Sequence, residues 1–232
     1  MHNASEPAIL YFGTPVVVIS TVNDDGGANL APMSSAFWLG WRCVLGLSAG
    51  SQTARNLQRS RQCVLNLPSQ AQVSQVDRLA LTTGADPVPP AKAARGYRHV
   101  RDKFALSGFT PEASQAVAAP RVRECPVQLE ALVESVHGIA DGDADLRGRL
   151  LNIEVRIVRV HLHPSIVMDG LPNRVDPDKW RPLIMSYQKF YGLSAQQLHP
   201  SALSSIEESM YRSPDVDRAR HTARELDAAI GT

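Results

Sequence analysis

Pro32-Met33-Ser34-Ser35-Ala36-Phe37 interrupts a run of sheet-forming sequence, and Ser48-Ala49-Gly50-Ser51-Gln52-Thr53-Ala54-Arg55-Asn56 follows one short strand later. Upstream, residues 16–22 (VVVISTV) are almost wholly β-branched and give way to Asn23-Asp24-Asp25-Gly26-Gly27, residue types that tolerate the positive φ angles of a tight turn. Residues 28–35 are therefore the returning strand of a hairpin. Pro32 has no N–H to give to a ladder, so it marks this strand as an edge, a bulge or the point where regular pairing stops.

Downstream, residues 37–39 and 42–47 continue the sheet pattern across Gly40-Trp41. Gly50-Ser51 then reads as a break and an N-cap before a short helix over 52–60. Residues 63–67 (CVLNL) make another apolar strand. Val73, Val76, Leu79 and Ala80 fall at helical spacing and end at Thr82-Thr83-Gly84. Residues 86–126, with six prolines, form an irregular excursion long enough to cover a site. Alternation over 127–135 and a long strand over 150–162 predict a hairpin turned by Asp141-Gly142-Asp143-Ala144-Asp145. The apolar parity shifts between Ile157 and Val158, as one extra residue in a bulge would cause. Val216, Ala219, Ala223, Leu226 and Ile230 predict a C-terminal amphipathic helix.

Many short strands with few helices predict a mainly β fold, a closed or partly closed barrel with peripheral helices, rather than a doubly wound α/β sheet. The expected organisation is one domain over 1–195 with a helical extension over 196–232. Net charge is +1 at pH 7, which supplies no basic field for nucleic acid or an anionic membrane. Cys43, Cys63 and Cys125 are odd in number and far apart, which suits a reduced, cytoplasmic setting. The apolar stretch near the start is interrupted by Gly13 and Pro15, so neither a signal peptide nor a membrane span is expected.

Two segments carry the candidate chemistry. Ser51 at a helix start, Thr53 in its first turn and the free amides there suit an anion, with Arg55 as a bidentate cation and Ser48 as a further hydroxyl. Pro32 to Ala36 offer small side chains and a backbone not wholly used in pairing, and Phe37 or Trp38 would add an aromatic wall. A flavin mononucleotide makes both demands at once. The same segments also suit an N-capped surface helix with Arg55, Arg59 and Arg61 as a solvated face, beside a core cluster of Phe37, Trp38 and Trp41.

Other motifs compete. Gly46-Leu47-Ser48-Ala49-Gly50 is a G-x-S-x-G between strand and helix, with Asp215 and His221 following in hydrolase order, which makes a serine hydrolase using Ser48 the alternative. Asp141, Asp143 and Asp145 imitate the start of a calcium loop, but Leu146 stands where a turn glycine belongs. His161 and His163 share one strand face without a third ligand at suitable spacing, so no metal site is expected. No G-x-G-x-x-G follows a strand, and any nicotinamide would have to stack directly over the flavin.

The order and spacing of Asn29-Leu30-Ala31-Pro32-Met33-Ser34-Ser35, the strand to Leu47-Ser48, the Thr53-Ala54-Arg55-Asn56 helix and Val64-Leu65-Asn66-Leu67 closely resemble the flavin reductase-like, FMN-binding split-barrel family. The resemblance spans roughly residues 10–165, and looser similarity continues at 180–191. It implies a homodimer with FMN, or FAD as second candidate, near the subunit interface. The ring would lie against Pro32, Met33, Ser34, Ser35, Ala36 and Phe37, and the phosphate against Ser48, Ser51, Thr53, Arg55 and Asn56. It implies hydride transfer from NADH or NADPH to flavin N5 with no catalytic side chain, and a partner monooxygenase that receives reduced flavin. A retained flavin serving another oxidation, or a non-catalytic binding module, would use the same fold. One departure stands out: members commonly carry Asp-Pro-Pro where this chain has the shorter Leu39-Gly40-Trp41-Arg42.

Overall fold

The computed structural model describes residues 2–230. Seven strands build the main sheet: β1 (Val17–Val22), β2 (Ala28–Met33), β3 (Ala36–Leu39), β4 (Arg42–Ser48), β5 (Gln62–Leu67), β6 (Val127–Ile139) and β7 (Leu150–Leu162). They are hydrogen-bonded in the order β2-β1-β5-β6-β7-β4-β3, and every pairing is antiparallel. The two edges of this sheet, β2 and β3, are neighbours in sequence, joined only by Ser34 and Ser35. A two-residue link spans at most about 10 Å, so the sheet has to curl until its first and last strands meet. The result is a barrel split at one seam, and the predicted mainly β fold is the one observed.

Pro32 sits on the edge strand β2, where its missing N–H costs no ladder bond on the open side. Regular pairing stops at Met33, two residues before the predicted end, because the chain must there cross from one edge to the other. The Gly46 N–H donates to the Ser35 carbonyl at 2.8 Å and ties the crossing to β4.

β1 is apolar on both sides because both sides are covered. Val17 and Ile19 face the barrel interior with Leu45, Leu65, Ile153 and Val155, while Val16 and Val18 face a second core with Leu30, Val76, Leu79 and Phe104. The predicted bulge lies at Val158: Glu130 pairs with Arg159 and Ala131 with Ile157, which leaves Val158 as the extra residue. Ile157 and Val158 are consequently both buried. A second shift between Val133 and Ser135 bends the same hairpin again.

Among the described residues five α-helices surround the sheet: α1 (Gln52–Ser60), α2 (Val73–Arg78), α3 (Pro90–Ala93), α4 (Lys103–Ser107) and α5 (Pro214–Ile230). Ser51 caps α1 by accepting from the Ala54 amide at 3.1 Å, and Leu57 carries the helix into the barrel core. On α5, Asp215 accepts from Arg42 Nε at 3.0 Å and fixes the helix to the sheet. A small sheet of Thr14–Pro15, Leu183–Ser186 and Lys189–Gly192 completes the periphery.

The excursion over 86–126 has little regular pairing, a short ladder of Pro111–Glu112 with Arg121–Val122 and the pairing of Arg98–His99 with Thr82–Thr83, and buried polar groups order the rest. Asn66 Oδ1 accepts the Val122 amide at 2.8 Å, and its Nδ2 donates to the Val18 carbonyl at 2.9 Å. The Glu130 carboxylate, fully buried, accepts the amides of Gln115 and Ala116 and faces His161 Nε2 at 2.7 Å. Irregular backbone can be buried only where such partners exist. Asn66→Ala orphans the Val122 amide, and we expect a loss of about 1–3 kcal/mol in stability, read as a lower urea midpoint at unchanged m.

Candidate functional site

A cavity of about 620 Å³ opens where the barrel is split, within the usual range of about 300–1,000 Å³ for small-molecule sites. One side is the crossing itself, Pro32, Met33, Ser34 and Ser35, together with Gly46, Leu47 and Ser48 of β4. The antiparallel ladder brings these stretches together: Ala36 lies opposite Leu45, so the two serines flank Gly46. A side chain at Gly46 would start 3.3 Å from Ser35 Cβ. The opposite side comes from Val76 and Leu79 to Gly84, and the small sheet adds Met185, Gln188 and Phe190 with Tyr11 beside them.

One region of the cavity is cationic. Thr53 in the first turn of α1 accepts from Asn29 Nδ2 at 3.1 Å, which leaves its hydroxyl proton free to donate. Next to Asn29, the Leu30 carbonyl on the open edge of β2 accepts from Lys103 Nζ at 2.8 Å. Lys103 is 3 % exposed. Burial, and then the nearby charge of Lys92, push its ammonium down to about 7. Lys92 also lines the cavity, stands over the Tyr97 ring at 5.4 Å and is itself shifted down by burial, Arg95 and Arg55. These cations belong to four elements or loops, so only the fold assembles them.

The site residues expected from sequence divide. Pro32, Met33, Ser34, Ser35, Ser48, Ser51 and Thr53 all line the cavity. Ala36 faces the barrel core, while Phe37 is 53 % exposed and lies on a shallow depression behind the crossing with Val44 and Ile139. Arg55 is exposed, with Nη2 3.5 Å from the Gly50 carbonyl, yet near enough to Lys92 to act on its charge. Asn56 is buried behind the helix, where Nδ2 donates to Thr21 Oγ1 and Asn23 Oδ1 at 2.9 and 2.8 Å. It braces α1 against the first hairpin. Trp38 and Trp41 pack against the main core and do not line the cavity.

Sequence reading missed Asn29, Lys92, Tyr97 and Lys103. One signal was present. The chain has only four lysines among twenty-four basic residues, and two of the four are Lys92 and Lys103. Asn29 has a further peculiarity: its Oδ1 is buried without a partner. Gly84 permits this packing, since a Cβ there would sit 2.5 Å from Asn29 Oδ1.

The hydrolase alternative does not assemble. Ser48 lines the cavity, but Asp215 is engaged by Arg42 and Arg218, and His221 is exposed beside Glu225. The main sheet is also antiparallel throughout, without the crossover helices such enzymes need. Asp143 Oδ1 accepts the Asp145 amide within the exposed hairpin turn, and His161 and His163 serve separate local partners, Glu130 and Ser165.

Residues 9–190 match the family described as "Flavin reductase like domain". The chain belongs to the flavin reductase-like family. It is 32 % identical over 191 residues to the uncharacterized protein YdfE of Bacillus subtilis (strain 168), covering 82 % of this chain and 89 % of that one. Among solved structures it is similar to flavoredoxin of Desulfovibrio vulgaris (Miyazaki F), with a TM-score of 0.68 at 22 % identity over 88 % of this chain and 99 % of that one. It is also similar to nitrilotriacetate monooxygenase component B from Bacillus cereus, with a TM-score of 0.64 at 19 % identity over 83 % and 89 % of the two chains. At these identities the structural matches establish the split-barrel fold. No helix among the described residues is long and apolar enough to cross a membrane.

Gly84→Ala in this flavin reductase-like fold forces the Asn29 carboxamide aside and strains its bond to Thr53. We expect a loss of about 1–3 kcal/mol, substantially recovered in Gly84→Ala/Asn29→Ala, where the obstructing carboxamide is gone. Chemical denaturation of the four proteins of that double-mutant cycle measures the coupling.

Proposed function

We propose that this protein binds FMN in the cavity at the barrel seam and acts as an NAD(P)H-dependent flavin reductase. The observation that carries the reading is the pairing of a cationic, hydroxyl-rich region with a larger apolar remainder in one cavity. Ser48, Ser51 and Thr53, with Lys92, Lys103 and Arg55, would hold the phosphate. The orphaned Asn29 Oδ1 asks for a donor, which a ribityl hydroxyl provides. Pro32, Met33, Ser34 and Ser35 would meet the ring through small side chains and backbone, with Ala36 and Asn56 acting from behind as positioning residues. FAD is the second candidate for the same cavity.

When bound, the flavin supplies the hydride acceptor for a reduced nicotinamide. The protein's own contribution is to orient the two rings and to exclude water; no acid or base side chain is asked to move a proton. Tyr11, Gln188 and Phe190 border the cavity on the side from which a nicotinamide would stack. The similarity to a monooxygenase component B supports delivery of reduced flavin to a separate monooxygenase. The three cysteines are free and buried, which suits a cytoplasmic setting. The segment beyond residue 195 is read as an extension outside the flavin-binding domain.

Reconstitution followed by absorbance and nucleotide oxidation tests this reading: FMN should bind and accelerate NADH or NADPH consumption. Arg55→Ala should weaken FMN about 5- to 10-fold while leaving riboflavin nearly unchanged. Equal loss for both would remove the phosphate assignment.

We also propose a homodimer. Phe37, Leu39, Ile139 and Leu150 are exposed apolar residues around the β3 edge and the tip of the β6–β7 hairpin, a surface a second copy of this chain would cover. Sedimentation should give a dimer for the wild type and a monomer for Phe37→Asp; a monomeric wild type would overturn this.

A further inference from the structure

Among the described residues, Lys103 is a buried cation without a counter-ion. Its Nζ makes one bond, to a neutral backbone carbonyl, and no carboxylate contributes to its environment. On its own helix Asp102 is spent capping α4, accepting from the Ala105 amide at 2.9 Å, and the preceding Arg101 pairs with Asp25. From α2, Arg78 donates to the Ser107 carbonyl, and Asp77 lines the cavity but makes no ion pair with Lys103. From α3 and the loop after it come Lys92, Arg95, Tyr97, Arg98 and His99, the last with Nδ1 against the Ala85 carbonyl. α1 contributes Arg55, and the facing β2 residues Asn29 and Leu30 carry no charge. Of these charges, that of Lys92 is the one that acts on Lys103, and it is positive.

Such a position is costly for a fixed charge and suits a group that can shed its proton. A guanidinium stays charged at any accessible pH, whereas a lysine ammonium can be neutralised by burial. In a chain whose basic residues are otherwise almost all arginine, the buried cavity position is a lysine.

We propose that Lys103 makes this site proton-linked: a phosphate monoester dianion entering the cavity is accompanied by uptake of one proton from solvent onto the Lys103 amine. The step is R–NH2 plus H⁺ giving R–NH3⁺, with no bond broken and no change of oxidation state. The inference rests on the cavity being the FMN site and adds its regulation. The dianion supplies the missing counter-charge, so the charged form of Lys103 belongs to the loaded state. Affinity is then greatest below about pH 7 on the lysine side and falls as pH rises, because the empty site holds progressively less of that proton. A flavin without a phosphate gains nothing from the same lysine, which favours FMN over riboflavin.

Calorimetric titration with FMN and with riboflavin, in two buffers of different ionisation enthalpy, counts the protons directly. At about pH 8.5 the wild type should take up close to one proton per FMN and close to none per riboflavin, and its Kd for FMN should rise about tenfold per pH unit above 7. Lys103→Met should bind FMN more weakly and without proton uptake. Should that variant fail to fold, Lys103→Arg keeps the charge and should likewise show no uptake. FMN binding without uptake in the wild type, or uptake persisting in the variants, overturns the coupling and leaves the flavin assignment intact. Failure of FMN to bind at any pH overturns both.

Discussion

The covalent link Met33-Ser34-Ser35-Ala36 is the constraint on which the rest depends. A seven-stranded antiparallel sheet has two edges, and here those edges are consecutive strands separated by two residues. No flat sheet satisfies that connection, so twist and two bulges in the β6–β7 hairpin bring the edges together. Two serines cannot restore a full ladder across the seam. What remains is a gap lined by small side chains, and the cavity occupies it.

The gap would be an open groove if the chain did not return to cover it. Residues 76–84 and the small sheet do so together with Lys92, Tyr97 and Lys103 of the 86–126 excursion, and buried side chains of the sheet hold the rest of that excursion in place: Asn66 at Val122 and Glu130 at Gln115 and Ala116. Lys103 reverses the arrangement, with a side chain of the excursion satisfying an edge carbonyl of the sheet. The contact that anchors the cover thereby also delivers a cation to the cavity. Structural and electrostatic roles coincide in one ammonium, whose charge is weakened by desolvation and by Lys92.

Periodicity was most informative where burial is one- or two-sided and local. The β-branched run 16–22 announced a strand, though not that Val16 and Val18 serve a second core while Val17 and Ile19 serve the first. The parity change at Ile157–Val158 marks the bulge, because one inserted residue has to flip every later side chain. Ser51 declared the start of α1 through capping chemistry that is purely local. Asn56 and Phe37 were harder. A polar residue in a helix's first turns looks the same in sequence whether it faces a ligand or braces a hairpin, and Phe37 turns away from the cavity through strand parity that begins only after the crossing.

The chain's own order of residues determined the strands, the capped helix, the point where pairing must stop and the family to which the protein belongs, because each is written in local pattern or contiguous motif. Tertiary structure alone decided that Lys92 and Lys103 stand beside Thr53 and Asn29, and that Gly84 leaves room for the Asn29 carboxamide. Those neighbours are tens of residues apart along the chain, and nothing but closure of the barrel and the packing of its cover brings them into contact.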